Sequence, residues 1–255
     1  QAITIGFPSG EKRSGYGLLV TNDDSFIERQ TRMYGTFSYR LPLNNSWNLH
    51  LGLSAGGNNF SVNFDELNNL QQISDSSYET YSHFNPNIGV GAYLEKENFY
   101  FSLSVPQLLA SKRYKDQQGL STTARDRPHI YAISGLRIPI QDDWTWVNSA
   151  LFRYVSDAPV TAVINSGVGY RKMEATLGYH VNAGITGTFM LQELEDKSFS
   201  MGYSYQMPTA GHLRSLTKGN HEILLSIRLG KTKQEKLLDE DLIHEKKIGM
   251  KKLTP

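Results

Sequence analysis

Between residues 198 and 207 apolar and polar side chains alternate strictly. Phe199, Met201, Tyr203, Tyr205 and Met207 fall on one side of an extended chain, and Ser198, Ser200, Gly202, Ser204 and Gln206 on the other. The same period of two recurs elsewhere. Trp47, Leu49, Leu51, Leu53 and Ala55 oppose Asn48, His50, Gly52 and Ser54, and Phe99, Phe101, Leu103 and Val105 oppose Tyr100, Ser102 and Ser104. Met173, Ala175, Leu177, Tyr179 and Val181 oppose Glu174, Thr176, Gly178, His180 and Asn182. The pattern predicts thirteen strands, at 2–8, 15–22, 31–41, 47–56, 87–94, 98–106, 129–139, 144–155, 160–170, 172–181, 184–191, 198–207 and 221–229. Alternation is mixed in 31–41 and 144–155. One face is aromatic, aliphatic and methionine-rich and the other small and polar. Such strands suit a sheet wetted on one face, or a transmembrane barrel whose strands need ~9–11 residues.

The connections separate these two cases. Short, turn-rich links at 8–11, 42–45, 95–97, 141–143, 171 and 193–197 alternate with a second set that holds every long link: 23–30, 57–86, 107–128 and 208–220. A soluble sandwich has no reason to keep its long loops at one end, whereas an outer-membrane barrel has short periplasmic turns and longer external loops. Trp47 and Trp144 follow short turns directly, and Phe99 stands beside a third. An aromatic girdle at a membrane interface belongs there. The expected fold is therefore all-β, an antiparallel transmembrane β-barrel. Such barrels carry an even number of strands and thirteen is odd, so a first strand missing at the N-terminus is expected, giving about 14.

Composition adds limits. The chain has 255 residues, a formal net charge of +1 and no cysteine, which removes disulfides and thiolate chemistry and gives no case for nucleic acid. Mean hydropathy is −0.42, and no apolar run approaches the ~18 residues of a transmembrane helix; a barrel dilutes its hydropathy with interior and loop residues. Two segments are expected: residues 1–230 as the barrel, and residues 231–255 as a charged periplasmic tail. The tail reads first as a solvated segment and second as a short amphipathic helix, with Leu238 and Leu242 at i, i+4, docked on a periplasmic partner.

No enzymatic constellation assembles. The seven histidines are scattered without metal-ligand spacing, so no metal and no cofactor are expected. His50 and His180 fall on the polar side of their strands. Asp23–Asp24 and Asp142–Asp143 sit in turn sequence, where Asp supports the backbone. Glycines 15, 17, 89, 91, 167 and 169 recur with period two and have no following helix, which makes them interior or bend positions rather than a phosphate loop. Arg40, Arg153 and Arg228 are expected inside the barrel with Glu174 and Glu222, lining a pore or building a plug. The plug is the better reading, because 57–86 is long enough to fold inward. Binding to a partner is assigned to the external loops through Phe60, Phe64, Tyr78, Tyr81, Phe84, Arg113 and Tyr114, against the alternative that these side chains only pack the rim.

Several stretches together resemble the PorP/SprF family of outer-membrane barrels of type IX secretion and gliding motility. They are residues 15–23 (Gly15, Tyr16, Gly17 onward), 37–43, 84–93 (with Asn85, Pro86, Asn87), 99–109 (with Pro106, Gln107, Leu108), 201–205 and 219–226, in this order along the chain. An N-terminal Asn-Pro-Ala-Tyr-Ala-Gly run usual in the family is missing, and the tail exceeds the usual ending. The resemblance implies a non-enzymatic protein in outer-membrane lipid, exporting or anchoring a secreted surface protein or adhesin and in some members meeting periplasmic type IX components. A porin or FadL-like channel for small or apolar solutes is the alternative, and a soluble β-sandwich comes third.

Overall fold

The computed structural model describes residues 1–8, 13–25, 28–62, 81–110, 127–181, 183–194, 199–209 and 218–227. Every regular element among them is a strand. They are β1 (Ala2–Pro8), β2 (Ser14–Ser25), β3 (Glu28–Pro42), β4 (Asn48–Val62), β5 (Tyr81–Lys96), β6 (Phe99–Val105) and β7 (His129–Gln141). Then follow β8 (Trp144–Val155), β9 (Thr161–Tyr170), β10 (Met173–His180), β11 (Gly184–Leu194), β12 (Phe199–Pro208) and β13 (Asn220–Ile227). Each strand pairs antiparallel with its sequence neighbours, in the order β1 to β13, as a single meander. Thirteen such strands leave β1 and β13 running in the same direction, each with one edge that no described strand pairs.

Register fixes which side chains share a face, because a slip of one residue would invert every side chain. Thr21 lies opposite Arg32, Gly52 opposite Gly91, and Thr176 opposite both Gly167 and Thr188. This joins the polar sides of successive strands into one continuous face. The opposite face carries Ile3, Phe7, Met33, Leu53, Phe101, Phe152, Ile164, Leu177, Tyr203 and Ile223, all exposed. Among the described residues the buried apolar side chains are Tyr34, Phe60 and Val147, and Tyr34 and Phe60 sit on the polar face. The large apolar groups point outward, which is the reverse of a soluble sandwich.

The sheet is rolled. β3 and β8 are five strands apart in sheet order; a flat sheet would hold them ~24 Å apart. Yet Arg32 of β3 and Arg153 of β8 line one cavity. Likewise residues of β1 to β3 and of β11 to β13 line a second cavity, so the two ends of the sheet approach each other.

Two connections are shorter than the sequence pattern predicts. The predicted link 23–30 shrinks to 26–27, and 57–86 to 63–80, because β2, β3, β4 and β5 run on through polar residues. Backbone pairing needs no apolar side chain, and polar cross-strand contacts hold these extensions. Thr31 donates to Asn22 at 2.9 Å, and Arg29 to Asp24 at 2.7 Å. Phe60, Tyr81 and Phe84, predicted in a loop, therefore lie in strands.

Candidate functional site

The polar face of the roll and the rim carrying the longer connections hold the groups from which a function can be built. At the other end, short turns are framed by aromatic rings. Trp47 packs edge-on against Phe99 at 6.0 Å between ring centroids, and Lys96 stands over Trp47 at 5.7 Å. Trp144 meets Tyr170 at 4.8 Å, with Arg171 over Tyr170 at 5.3 Å. Arg171 also donates to Asp143 at 3.0 Å, and this carboxylate holds its guanidinium above its ordinary pKa. Each ring pair sets a cation beside an aromatic ring, a combination that is most stable where apolar surroundings meet water.

Inside, the predicted charges separate into different settings. Glu174, 12 % exposed, accepts from Arg137 at 2.7 Å and from Gln192 at 3.2 Å. Arg137 was not singled out by sequence, although it shares the parity of Tyr131 and Gly135 in β7. His50 meets Glu95 at 2.9 Å. Arg40 is exposed, opposite His50 in register, and is in no ion pair with either predicted glutamate. Glu222 accepts from Ser204 at 3.4 Å, and Arg153 donates to Thr161 at 3.0 Å. The four described ones among the five predicted charges thus form no single network; Arg228 lies outside the described residues. Arg32, with the parity of Arg40 in β3, is a second interior cation, beside Arg137, that sequence reasoning missed.

An inward element comes from the segment after β6. Leu108 N donates to Ile88 O at 2.9 Å, while the Asn87 amide donates to Leu109 O at 2.9 Å and accepts from Leu109 N at 3.0 Å. Gln107 then reaches Tyr34 OH on β3 at 3.4 Å. The glycines allow this approach: Gly89 sits against the Pro106 carbonyl with no room for a side chain.

Of the residues predicted to bind a partner, Phe60 is 3 % exposed and buried against the interior, which removes it from any accessible surface. Phe84 is exposed on β5, on the outer face. Tyr81 opens β5 opposite Val62. Phe64, Tyr78, Arg113 and Tyr114 lie outside the described residues, as do residues 228–255. At the same rim Arg127 bonds Ser156 O at 2.6 Å and pairs with Asp157, tying the base of the 107–128 connection to the β8–β9 turn. Among the described residues no three His, Asp or Glu side chains converge as metal ligands.

A family model described as "Type IX secretion system membrane protein PorP/SprF" matches residues 1–227, nearly nine-tenths of the chain. No curated protein matches it.

Proposed function

This chain belongs to the PorP/SprF family of type IX secretion system membrane proteins, and we propose from that premise that it is a non-enzymatic outer-membrane β-barrel. It assists export or cell-surface attachment of a large partner protein such as an adhesin. The observation that carries the membrane reading is the outer face, where exposed apolar side chains form a band that ends, on the short-turn side, at the Trp47–Phe99 and Trp144–Tyr170 pairs. Nine of the thirteen strands have 10 or more residues, which meets the ~9–11 that a tilted transmembrane strand needs, while β1, β6, β10 and β13 have 7 or 8. If the roll closes with antiparallel pairing throughout, one further strand stands between β1 and β13, because these two edges run the same way. In this orientation the short turns and the C-terminus face the periplasm and the longer connections face outward, available to a secreted partner or adhesin.

The test is a mild-detergent pull-down of the tagged full-length protein from its native outer membrane, read by mass spectrometry. Near-stoichiometric recovery of one large surface protein is expected. Recovery of periplasmic secretion components instead would move the contact to the short turns and residues 231–255. A protein that comes out alone would sink the partner reading. One observation favours a second reading, a channel for small solutes: the roll encloses cavities of about 810 and 440 Å³. Steady conductance in planar bilayers would support the channel.

A further inference from the structure

The cavity of about 440 Å³ is lined by Arg32 and Arg153 from opposite parts of the roll, with His129, Tyr34, Tyr131 and Gln107 between them. Among the described residues no aspartate or glutamate lines it. Both arginines are half-buried, and among the described residues neither has a carboxylate within 4.0 Å. Their side-chain partners are neutral: Gln30 for Arg32, and Thr161 for Arg153. Arg32 Nε is shut off from solvent and has no acceptor among the described residues. Elsewhere in the interior Arg137 is paired with Glu174.

A guanidinium keeps its charge at any physiological pH, so two of them in a partly dewatered cavity cannot escape the cost of burial by losing a proton. They repel each other unless an anion joins them. The surrounding groups suit an anion: hydroxyls and a carboxamide, each able to donate. The planar fork of Arg matches two oxygens of one carboxylate or phosphate, and the volume falls in the range of ~300–1,000 Å³ typical of small-ligand sites. We infer that Arg32 and Arg153 form a binding site for a small oxyanion-bearing molecule, a carboxylate or a phosphate, inside the roll. The site rests on the interior geometry and not on the secretion role, so either can fail without the other.

The experiment is calorimetric titration of the full chain in neutral-detergent micelles, in low-chloride buffer, with inorganic phosphate and separately with succinate. Saturable binding at one site per chain is expected, and the tighter of the two anions identifies the recognised group. Arg32→Gln and Arg153→Gln should each weaken it about tenfold, in keeping with a charge-assisted hydrogen bond. Arg171→Gln, at the exposed β9–β10 turn, should leave it unchanged. Should the interior variants fail to fold, the wild type still decides. Either anion at saturation should slow phenylglyoxal modification of Arg32 and Arg153, mapped by mass spectrometry, and leave Arg171 unaffected. Absence of saturable uptake of both anions, equal binding by the double variant, or equal modification rates would overturn the site, and a carboxylate of the chain itself in the cavity would give the first of these.

Discussion

A Cβ at Gly89 would stand 2.4 Å from the Pro106 carbonyl oxygen and 2.5 Å from Ser54 Oγ. The carbonyl belongs to backbone and cannot swing aside as a long side chain would. Gly89→Ala should therefore push out the segment that carries Gln107 toward Tyr34. Overpacking of this kind costs ~1–3 kcal/mol, to be read from the urea midpoint of the lipid-reconstituted protein; an unchanged midpoint would mean that the segment does not pack there. At the rim, Asp24 is held below the ordinary carboxylate range, first by the hydrogen bond from Arg29. A lowered folded-state pKa stabilises above the ordinary value and ceases to do so as pH falls through the folded one. Both side chains are exposed, so the energetic weight is small. Arg29→Ala should move the Asp24 midpoint upward in a carboxyl NMR titration. Asn58 and Asn85, opposite each other in register, are buried, and Asn58 Oδ1 and Asn85 Nδ2 have no hydrogen-bond partner among the described residues.

At the scale of the strand, the two faces of β10 make opposite demands. Leu177 is 70 % exposed on the outer face, while Thr188, its neighbour on the polar face of β11, lines a cavity with Glu174. Leu177→Arg should cost ~2–4 kcal/mol near the middle of a bilayer, measured as reduced folding yield into vesicles. Thr188→Arg meets water and a carboxylate and should cost far less. If instead the outer face were wetted, Leu177→Arg would be harmless and would improve solubility, which would sink the membrane assignment. Strand faces were legible in the sequence because a period of two survives any uncertainty about ends. Strand ends were not: Asn22, Asp24, Arg29 and Asn58 have turn-like composition, and only pairing with a partner strand keeps them extended.

For the whole molecule, the decisive property is whether the roll closes. A closed barrel satisfies every backbone group between strands and resists detergent, whereas an open edge presents unpaired N–H and C=O groups to lipid. Folded protein from vesicles should migrate in SDS at a faster position when unheated than after boiling. A single position under both conditions would indicate an open sheet. Because β1 and β13 both present exposed side chains along their length, these edges should be the first region to exchange amide hydrogens if no strand pairs there.

Alternation, turn chemistry and the placement of Trp47 and Trp144 determined from sequence alone the strands, their faces, the meander and the apolar outer band, since each depends on neighbours close along the chain. The family was legible for the same reason, in short stretches kept in order over residues 1–227. Tertiary structure alone decided which interior charges meet: Glu174 takes Arg137 and not Arg40 or Arg153. It also turned Phe60 inward and brought Arg32 to the cavity that Arg153 lines. Those facts depend on how far the sheet rolls. The roll sums small twists over thirteen strands, and no local pattern records that sum.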